Sequence, residues 1–166
     1  MVEKQALLAV SNNNMGIQVR GISKQDLLEK KVISNNLSQG SIEDFKDNEI
    51  IIGLSLANSL RLNVRDEVKI LSPQTNSTVI GNIPRVKTCK VAAIFNSGTP
   101  DLDNLVVFMP IDLAQTYFKM PSKVNLIEVS IPRSIDVEAF RNKLDEELDY
   151  EYRLIDWKSR NAAIMI

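Results

Sequence analysis

The chain has 166 residues, of which 44% are hydrophobic and 25% charged, and its formal net charge is −1. This composition is that of a globular protein, and the length suits one domain or two small interleaved lobes. A near-neutral charge argues against non-specific nucleic-acid binding, which needs an excess of lysine and arginine. Because there is no histidine and Cys89 is the only cysteine, Ser-His-Asp and Cys-His catalysis, histidine-ligated metals and an intrachain disulfide are all excluded.

In the first third of the chain, alternating apolar residues and turn residues predict a strand-rich start. Asparagines in SNNNM favour the left-handed conformations of a hairpin turn. Ser23 and Asp26 resemble a capping box, which opens a helix. The predicted elements are, in order, strands at 4–10 and 16–22, a short helix through Lys30, a loop at 32–40, a helical turn capped by Ser41 and a buried strand at 49–53 closed by Gly53.

The middle and the end of the chain mix strands with helices but lack regular β-α alternation. Pro110 suits the first turn of a helix, and Val137, Phe140 and Leu144 form an apolar stripe at helical spacing. We therefore predict an α+β fold. The predicted elements are a helix at 55–62, a strand at 66–71, a long connection at 72–86, strands at 88–95 and 105–110 around a turn cluster, a helix through Lys119, a strand at 124–131, a helix ending at Leu148 and a strand at 150–155.

Acidic residues provide the weak candidates for chemistry. Asp101 and Asp103 could hold Ca²⁺ or Mg²⁺, but turn formation explains them better because the loop lacks further ligands. The acids after the last predicted helix indicate a solvated helix end rather than an acid/base pair. Cys89 lies within a predicted strand and is best explained as a small core residue. We interpret Trp157 as a residue that anchors packing. We expect no metal, no cofactor and no catalytic residue.

No stretch reaches the roughly 18 apolar residues of a membrane span, and no signal segment opens the chain. The final stretch, IDWKSRNAAIMI, begins like a capped helix and turns apolar before it stops. Two interpretations remain open for it: a helix cut short, or a frayed natural terminus.

The stretch STVIGNIPRVK (77–87) is unusual for a connection between strands, because connections are usually polar. It carries Val79, Ile80 and Ile83. No acid occurs from Val68 to Pro100, whereas four cations do: Lys69, Arg85, Lys87 and Lys90. An apolar anchor with cations for steering is typical of a protein-docking loop. The alternative is a loop that folds back onto its own core.

Several of these stretches resemble a known family. IIIGLSLANSLRLNVRDEVKILSPQ, STVIGNIPRVKTCKVAAIF, DLDNLVVFMPIDLAQTYF and IDWKSRN are similar, in order, to the extracytoplasmic domain of the LolC/LolE family, the lipoprotein-releasing permease subunits. That family belongs to the MacB/FtsX-like group of ABC transporter permeases. The G-N-I-P-R loop, the D-L-A-Q helix and the closing D-W are the most specific parts, and G-x-I-P favours LolC over LolE.

The resemblance implies a MacB-type periplasmic domain with a β-rich sabre lobe inserted into a partial α/β porter lobe. The domain would lie between the first and second membrane spans of its subunit, at the periplasmic face of a Gram-negative inner membrane. The family's porter lobe starts with a strand–helix unit that this chain lacks, so we expect an excised fragment. The implied divisions are porter strands at 1–22, the sabre lobe at 23–123, a porter strand–helix–strand at 124–157 and the start of a truncated stalk helix at 158–166.

The resemblance also implies a binding site. In LolC-type subunits a β-hairpin hook of the sabre lobe inserts into the apolar cavity of the periplasmic lipoprotein carrier, LolA, and basic residues contact the rim. Here the hook would span about 74–86. The implied partner-binding residues are Thr78, Val79, Ile80, Gly81, Asn82, Ile83 and Pro84 at the tip, with Arg85 and Lys87 at the rim.

Three positions depart from the family pattern. The family often has glycine where this chain has Arg61 and Arg65, which alters the surface or a turn of the sabre lobe rather than its hook. Position 86 is Val where a polar residue is common, which puts the rim contact there in doubt.

The leading hypothesis is a non-enzymatic domain that recruits the carrier, while ATP hydrolysis occurs in a separate cytoplasmic subunit. A second permease subunit and that ATPase would be partners through the membrane part, and nucleic acid would not be one. The alternative is a related MacB/FtsX-type permease domain that binds another periplasmic partner. The third hypothesis, a small enzyme using Asp/Glu pairs, has little support because the sequence carries no nucleophile motif.

Overall fold

The computed structural model describes residues 1–78, 81–132, 134–148 and 152–156, and of 74–78 and 81–83 it describes the backbone alone. The described strands are β1 (Val2–Val10), β2 (Asn13–Ile22), β3 (Leu37–Gly40), β4 (Glu49–Gly53), β5 (Glu67–Thr78), β6 (Gly81–Phe95) and β7 (Val106–Pro110). The helices are α1 (Lys24–Glu29), α2 (Lys31–Ser34), α3 (Leu54–Leu60), α4 (Pro100–Leu105), α5 (Ile111–Tyr117) and α6 (Val137–Glu147), and Ile42–Asp44 forms a 3-10 turn. The chain divides into two compact units, Met1–Ile127 and Glu128–Ile166.

Six strands of the first unit pair in a closed circuit, which we call the barrel. The sheet order is β3-β6-β4-β7-β2-β1-β5, and an additional pairing of β5 with β6 closes the six strands from β6 to β5 into a circuit. β2 pairs with β7, and β4 with β6, in parallel, while the other pairings are antiparallel. β3 adds to β6 outside the circuit. Closure gives each barrel strand two neighbours within the circuit.

Two buried clusters lie on opposite faces of these strands. β4 shows the division most clearly, because Ile50 and Ile52 belong to one cluster and Ile51 to the other. The first cluster includes Leu8 and Ile70 and is joined by residues of α3 and α5. The second contains the ring pair Phe95–Phe108, whose centroids lie 5.7 Å apart, together with Leu27 of α1. Because successive side chains of a strand point to opposite faces, strands such as β4 contribute to both buried clusters, and helices pack against them.

Most of the predicted elements are present. The N-terminal hairpin pairs from Val2 with Gly21 to Val10 with Asn13, and the predicted caps form: Ser23 Oγ accepts a hydrogen bond from the Asp26 N–H at 3.1 Å, and Ser41 Oγ accepts one from the Glu43 N–H. The strand closed by Gly53, the helix after Pro110 and the last helix, capped by Asp136, also occur. The α+β prediction is confirmed, with parallel and antiparallel pairings in one sheet.

Four local predictions are wrong or incomplete. The predicted loop at 32–40 lies in α2 and the short edge strand β3, and the predicted turn cluster contains α4, which starts at Pro100. The stretch 124–131 was predicted as a strand from its alternation but has no regular structure, and Val129 is exposed. The described part of the predicted final strand, 152–155, is likewise irregular. A strand needs a neighbouring strand to pair with, which alternation alone does not provide.

The segment after α5 does contact the N-terminal strand. The Leu126 N–H donates to the Met1 carbonyl, and the Met1 amino group donates to the Leu126 carbonyl at 2.9 Å. The Asn125 side chain bonds both backbone groups of Glu3. These bonds form a short bridge where the sequence predicted a strand.

The division into porter and sabre lobes stays a prediction. In the structure β1 and β2 are barrel strands, paired with β5 and β7, which lie within the predicted sabre lobe. Trp157 and the predicted stalk helix lie outside the described residues. Among the helices that the structure describes, none is long and apolar enough to cross a membrane.

Candidate partner-binding hairpin

The ladder between β5 and β6 continues past the barrel. β1 pairs with β5 only from Lys69 to Leu71, whereas the β5–β6 register runs on to Thr78 opposite Gly81. We call Thr75–Thr78 with Gly81–Pro84 the ribbon. The described pairings of these residues join β5 and β6 to each other alone, and four residue pairs extend roughly 10 Å. Antiparallel pairing is thus present where the residue pattern predicted a connection and the resemblance a hook.

The ribbon starts at an irregular point of the ladder. The register passes from Ser72 opposite Arg85 to Thr75 opposite Pro84, so that Pro73 and Gln74 are extra residues on β5. Such a bulge bends a strand and increases its twist. Pro73 and Pro84 are exposed, one on each strand, and proline has no N–H to offer a further strand. The base of the ribbon is therefore both bent and closed to sheet extension.

The predicted partner-binding residues lie on both sides of this base. Thr78, Gly81, Asn82 and Ile83 belong to the ribbon, whose side chains other than Pro84 are not described. Val79 and Ile80 lie outside the described residues, so the exposure of the apolar tip stays a prediction.

Arg85 and Lys87 lie on the inward side of the ladder. Directly opposite residues share a face of a sheet, and Lys87 lies opposite Ile70, which is fully buried. Cys89, two residues further along β6, is buried as well. Both cations are half-buried at this end of the barrel. The outward side carries Val86, which is 52% exposed.

Tyr117, at the end of α5, ties this base together. Its hydroxyl oxygen lies 2.7 Å from the Ile70 carbonyl oxygen and 2.9 Å from the Arg85 carbonyl oxygen. In return, Arg85 Nη1 donates to the Tyr117 carbonyl at 2.8 Å. Burial raises the pKa of Tyr117 to about 12, so that its hydroxyl stays a donor at neutral pH. Sequence reasoning missed Tyr117, because nothing local distinguishes it from any other aromatic residue on a helix.

Asp103 and Cys89, two of the residues considered for chemistry, have structural roles. Asp103 is buried, and its carboxylate accepts hydrogen bonds from the Ser97 N–H, the Ser97 hydroxyl and the Gly98 N–H at 2.8 to 3.1 Å. It therefore caps a turn, as predicted, and the described residues contain no group of three His, Cys, Asp or Glu that could hold a metal. Burial raises the pKa of Cys89 to about 11, which keeps it a thiol.

Comparison with known sequences identifies similar proteins over almost the whole chain, although no protein-family model matches. The chain is 32% identical, over 98% of its length, to "Lipoprotein-releasing system transmembrane protein LolC" of Neisseria meningitidis serogroup B. It is 28% identical over the same share to the LolC protein of Xylella fastidiosa strain Temecula1. The chain spans 40% of the length of each of these relatives.

Solved structures share the fold. The periplasmic region of MacB from Actinobacillus actinomycetemcomitans superposes with a TM-score of 0.54 at 14% identity, covering 88% of this chain and 62% of that one. The extracellular domain of the noncanonic ABC-type transporter YknZ superposes with a TM-score of 0.50 at 14% identity. The superposition covers 71% of this chain and 56% of the YknZ chain. Together the similarities support a periplasmic domain of an ABC permease. Over the part of LolC that it spans, the chain therefore resembles the LolC/LolE family, as its motifs predicted, and it has a MacB-type fold.

Proposed function

We propose that this domain belongs to the periplasmic face of an inner-membrane ABC permease that releases lipoproteins, and that the ribbon recruits the periplasmic lipoprotein carrier. The observation that supports the proposal is the β5–β6 ladder, which runs beyond every other pairing that the structure describes for these strands. The LolC relatives are named as parts of a lipoprotein-releasing system, which supports lipoproteins as the class of protein released.

The apolar residues of the ribbon are best explained by a partner. A barrel strand buries one face against the interior, but a two-stranded ribbon has no such interior. Val79, Ile80 and Ile83 in such a place would fill an apolar cavity of the carrier, whose lipid would be handed over as the hairpin leaves. Pro84 would stiffen the base of the ribbon, which lowers the entropy lost on binding.

Charge would guide the encounter. From Val68 onward, β5 and β6 contain no acidic residue. Lys69 is exposed on the outward side of the ladder, and Lys87 and Arg85 are half-buried on its inward side. Cations around an apolar anchor raise the association rate and fix orientation. The affinity should then fall with ionic strength.

The domain itself would be non-enzymatic. ATP hydrolysis would take place in a separate cytoplasmic subunit, and a further permease subunit would be joined through the membrane part. The fold shared with MacB and YknZ domains favours one second candidate: a related MacB/FtsX-type domain that binds a different periplasmic partner through the same hairpin.

Carrier pull-down tests the proposal. The double variant Val79→Asp, Ile80→Asp should lose carrier capture, because two carboxylates cannot enter an apolar cavity unpaired. Val32→Asp with Val124→Asp is a matched control, since both valines are exposed elsewhere in the first unit. Circular dichroism melts establish that all variants fold. Unchanged capture by the folded Val79→Asp, Ile80→Asp variant would contradict the proposal, as would an equal loss in the control.

The same bait separates the two candidates. If periplasmic crosslinking to the wild-type chain yields the lipoprotein carrier, the first candidate stands. If it yields an outer-membrane factor or a murein hydrolase instead, the second does.

A further inference from the structure

The Tyr117 side chain reaches both strands of the ribbon's base. Its hydroxyl lies within hydrogen-bond distance of one carbonyl on β5, that of Ile70, and one on β6, that of Arg85. A tyrosine hydroxyl has a single proton, so it is shared between these two carbonyls. One side chain from α5 thereby holds the two strands at a common point.

Arg85 closes the arrangement in the opposite direction. Its guanidinium donates to the carbonyl of Tyr117, one of the last carbonyls of α5, which have no partner within the helix. A cation at a helix C-terminus is also favoured by the helix dipole. The Tyr117 side chain thus bonds the Arg85 backbone, and the Arg85 side chain bonds the Tyr117 backbone.

The position of these bonds along the ladder matters. Ser72 opposite Arg85 is the last regular pair before the bulge, and Ile70 lies two residues earlier on β5. The Tyr117 side chain is 8% exposed and packs with Phe118, their ring centroids 4.8 Å apart. The fixed point therefore lies in the barrel, immediately before the bulge.

We propose that Tyr117 and Arg85 form a latch that holds the ribbon in one direction relative to the barrel and so prepares it for docking. Tyr117 is a positioning residue here and does not itself touch the partner. The docking role rests on the proposed function, whereas the holding role does not. Ordering the hairpin before the encounter removes a conformational cost from binding.

Hydrogen–deuterium exchange of the whole 166-residue chain tests the holding role without a partner. Tyr117→Phe keeps the ring and removes the hydroxyl. We expect amide exchange in 69–78 and 81–88 to become faster by up to about tenfold, because one neutral hydrogen bond shared by two carbonyls is lost. Exchange should be unchanged where β2 pairs with β7. Tyr152→Phe is the matched control, because Tyr152 is exposed and lies in the second unit. Unchanged exchange in 69–88 overturns the latch.

Arg85→Lys distinguishes the latch from simple steering. Lysine keeps the positive charge but lacks the planar guanidinium. The latch predicts faster exchange in the ribbon for this variant too, while a purely electrostatic role predicts wild-type exchange and overturns the latch. This variant also serves if Tyr117→Phe fails to fold.

Carrier affinity then tests the docking role. We expect several-fold weaker binding for both variants, through slower association. Faster exchange with unchanged affinity overturns the docking role. If the wild-type chain binds no carrier at all while the exchange result holds, the proposed function fails and the holding role stands.

Discussion

The same two strands build two different regions, the barrel and the ribbon. Before the bulge, β5 and β6 place Val68, Ile70 and Cys89 in the core at 1% exposure or less. Beyond it they pair only with each other among the described residues, and Pro73, Pro84 and Val86 around the base are exposed. Core packing therefore dictates the residues of the barrel part. The apolar residues of the ribbon require another explanation, which the proposed docking supplies.

The barrel should be very sensitive to an added side-chain atom at Gly53, where two backbone segments pack closely. A Cβ atom added at Gly53 would lie 2.2 Å from the Asp103 carbonyl oxygen and 2.5 Å from its Cα, and backbone atoms cannot move aside cheaply. We expect Gly53→Ala to lower the free energy of unfolding by about 4 kcal/mol, measured by urea denaturation. At Gly16 of β2 an added Cβ meets nothing within 4 Å. Gly16→Ala is therefore the control, and equal stability of the two variants would contradict the packing described here.

Two residues of the β5–β6 ladder allow a buried and an exposed apolar side chain to be compared. Ile70 is fully buried, whereas Val86 is 52% exposed. Ile70→Ala should cost about 3 kcal/mol of unfolding free energy, the cost of a core cavity, and Val86→Ala should change it by less than about 0.5 kcal/mol. Chemical denaturation measures both. A similar cost for the two would mean that the outward side of the ladder is packed as well, contrary to the structure.

Alkaline pH should weaken the barrel at the end where the ribbon begins. Burial raises the pKa of Cys89 from 9.0 to about 11 and that of Tyr117 from 10.0 to about 12. The unfolded chain loses these protons first, so the stabilisation is complete below pH 9 and is lost as pH rises toward 12. Cys89 should account for about 2 kcal/mol of the loss. Unfolding of wild type and Cys89→Ala from pH 8 to 11 measures it, and parallel pH profiles would contradict the assignment.

A smaller change in unfolding free energy is expected at the turn after α3, between β4 and β5. Arg61 ends α3 with φ 56° and ψ 44°, in the left-handed region, while the Leu62 N–H bonds the Ala57 carbonyl. Glycine adopts this conformation without strain, so Arg61→Gly should raise the unfolding free energy by about 1 kcal/mol. Asn58→Gly, within the same helix, should lower it by a similar amount. Thermal melts compare them, and destabilisation by Arg61→Gly would be the contrary result.

The sequence predicts the barrel better than the site. Alternation, caps and turn residues locate most strands, because these signals are local. They miss β3, since LSQG is short and polar, and they overpredict 124–131, because pairing depends on a distant partner. Left-handed Arg61 and Arg65 coincide with the two positions where the family often has glycine. The Tyr117–Arg85 contact joins residues 32 apart, a tertiary relation that no local pattern encodes.

For the ribbon, residue patterns alone left docking and folding back onto the core both open. The resemblance favours docking, and the ladder beyond the bulge is consistent with it. The pull-down with Val79→Asp, Ile80→Asp tests the tip itself.

Site-specific photo-crosslinking tests the central claim, that the ribbon enters the carrier. Benzoylphenylalanine would replace Asn82 near the tip, or Val32 as a control on the first unit, and the chain would be irradiated with the purified carrier. We predict a crosslink from position 82 to residues lining the carrier's apolar cavity, and none from position 32. Carrier capture without a crosslink from position 82, or equal crosslinking from both positions, would contradict the account.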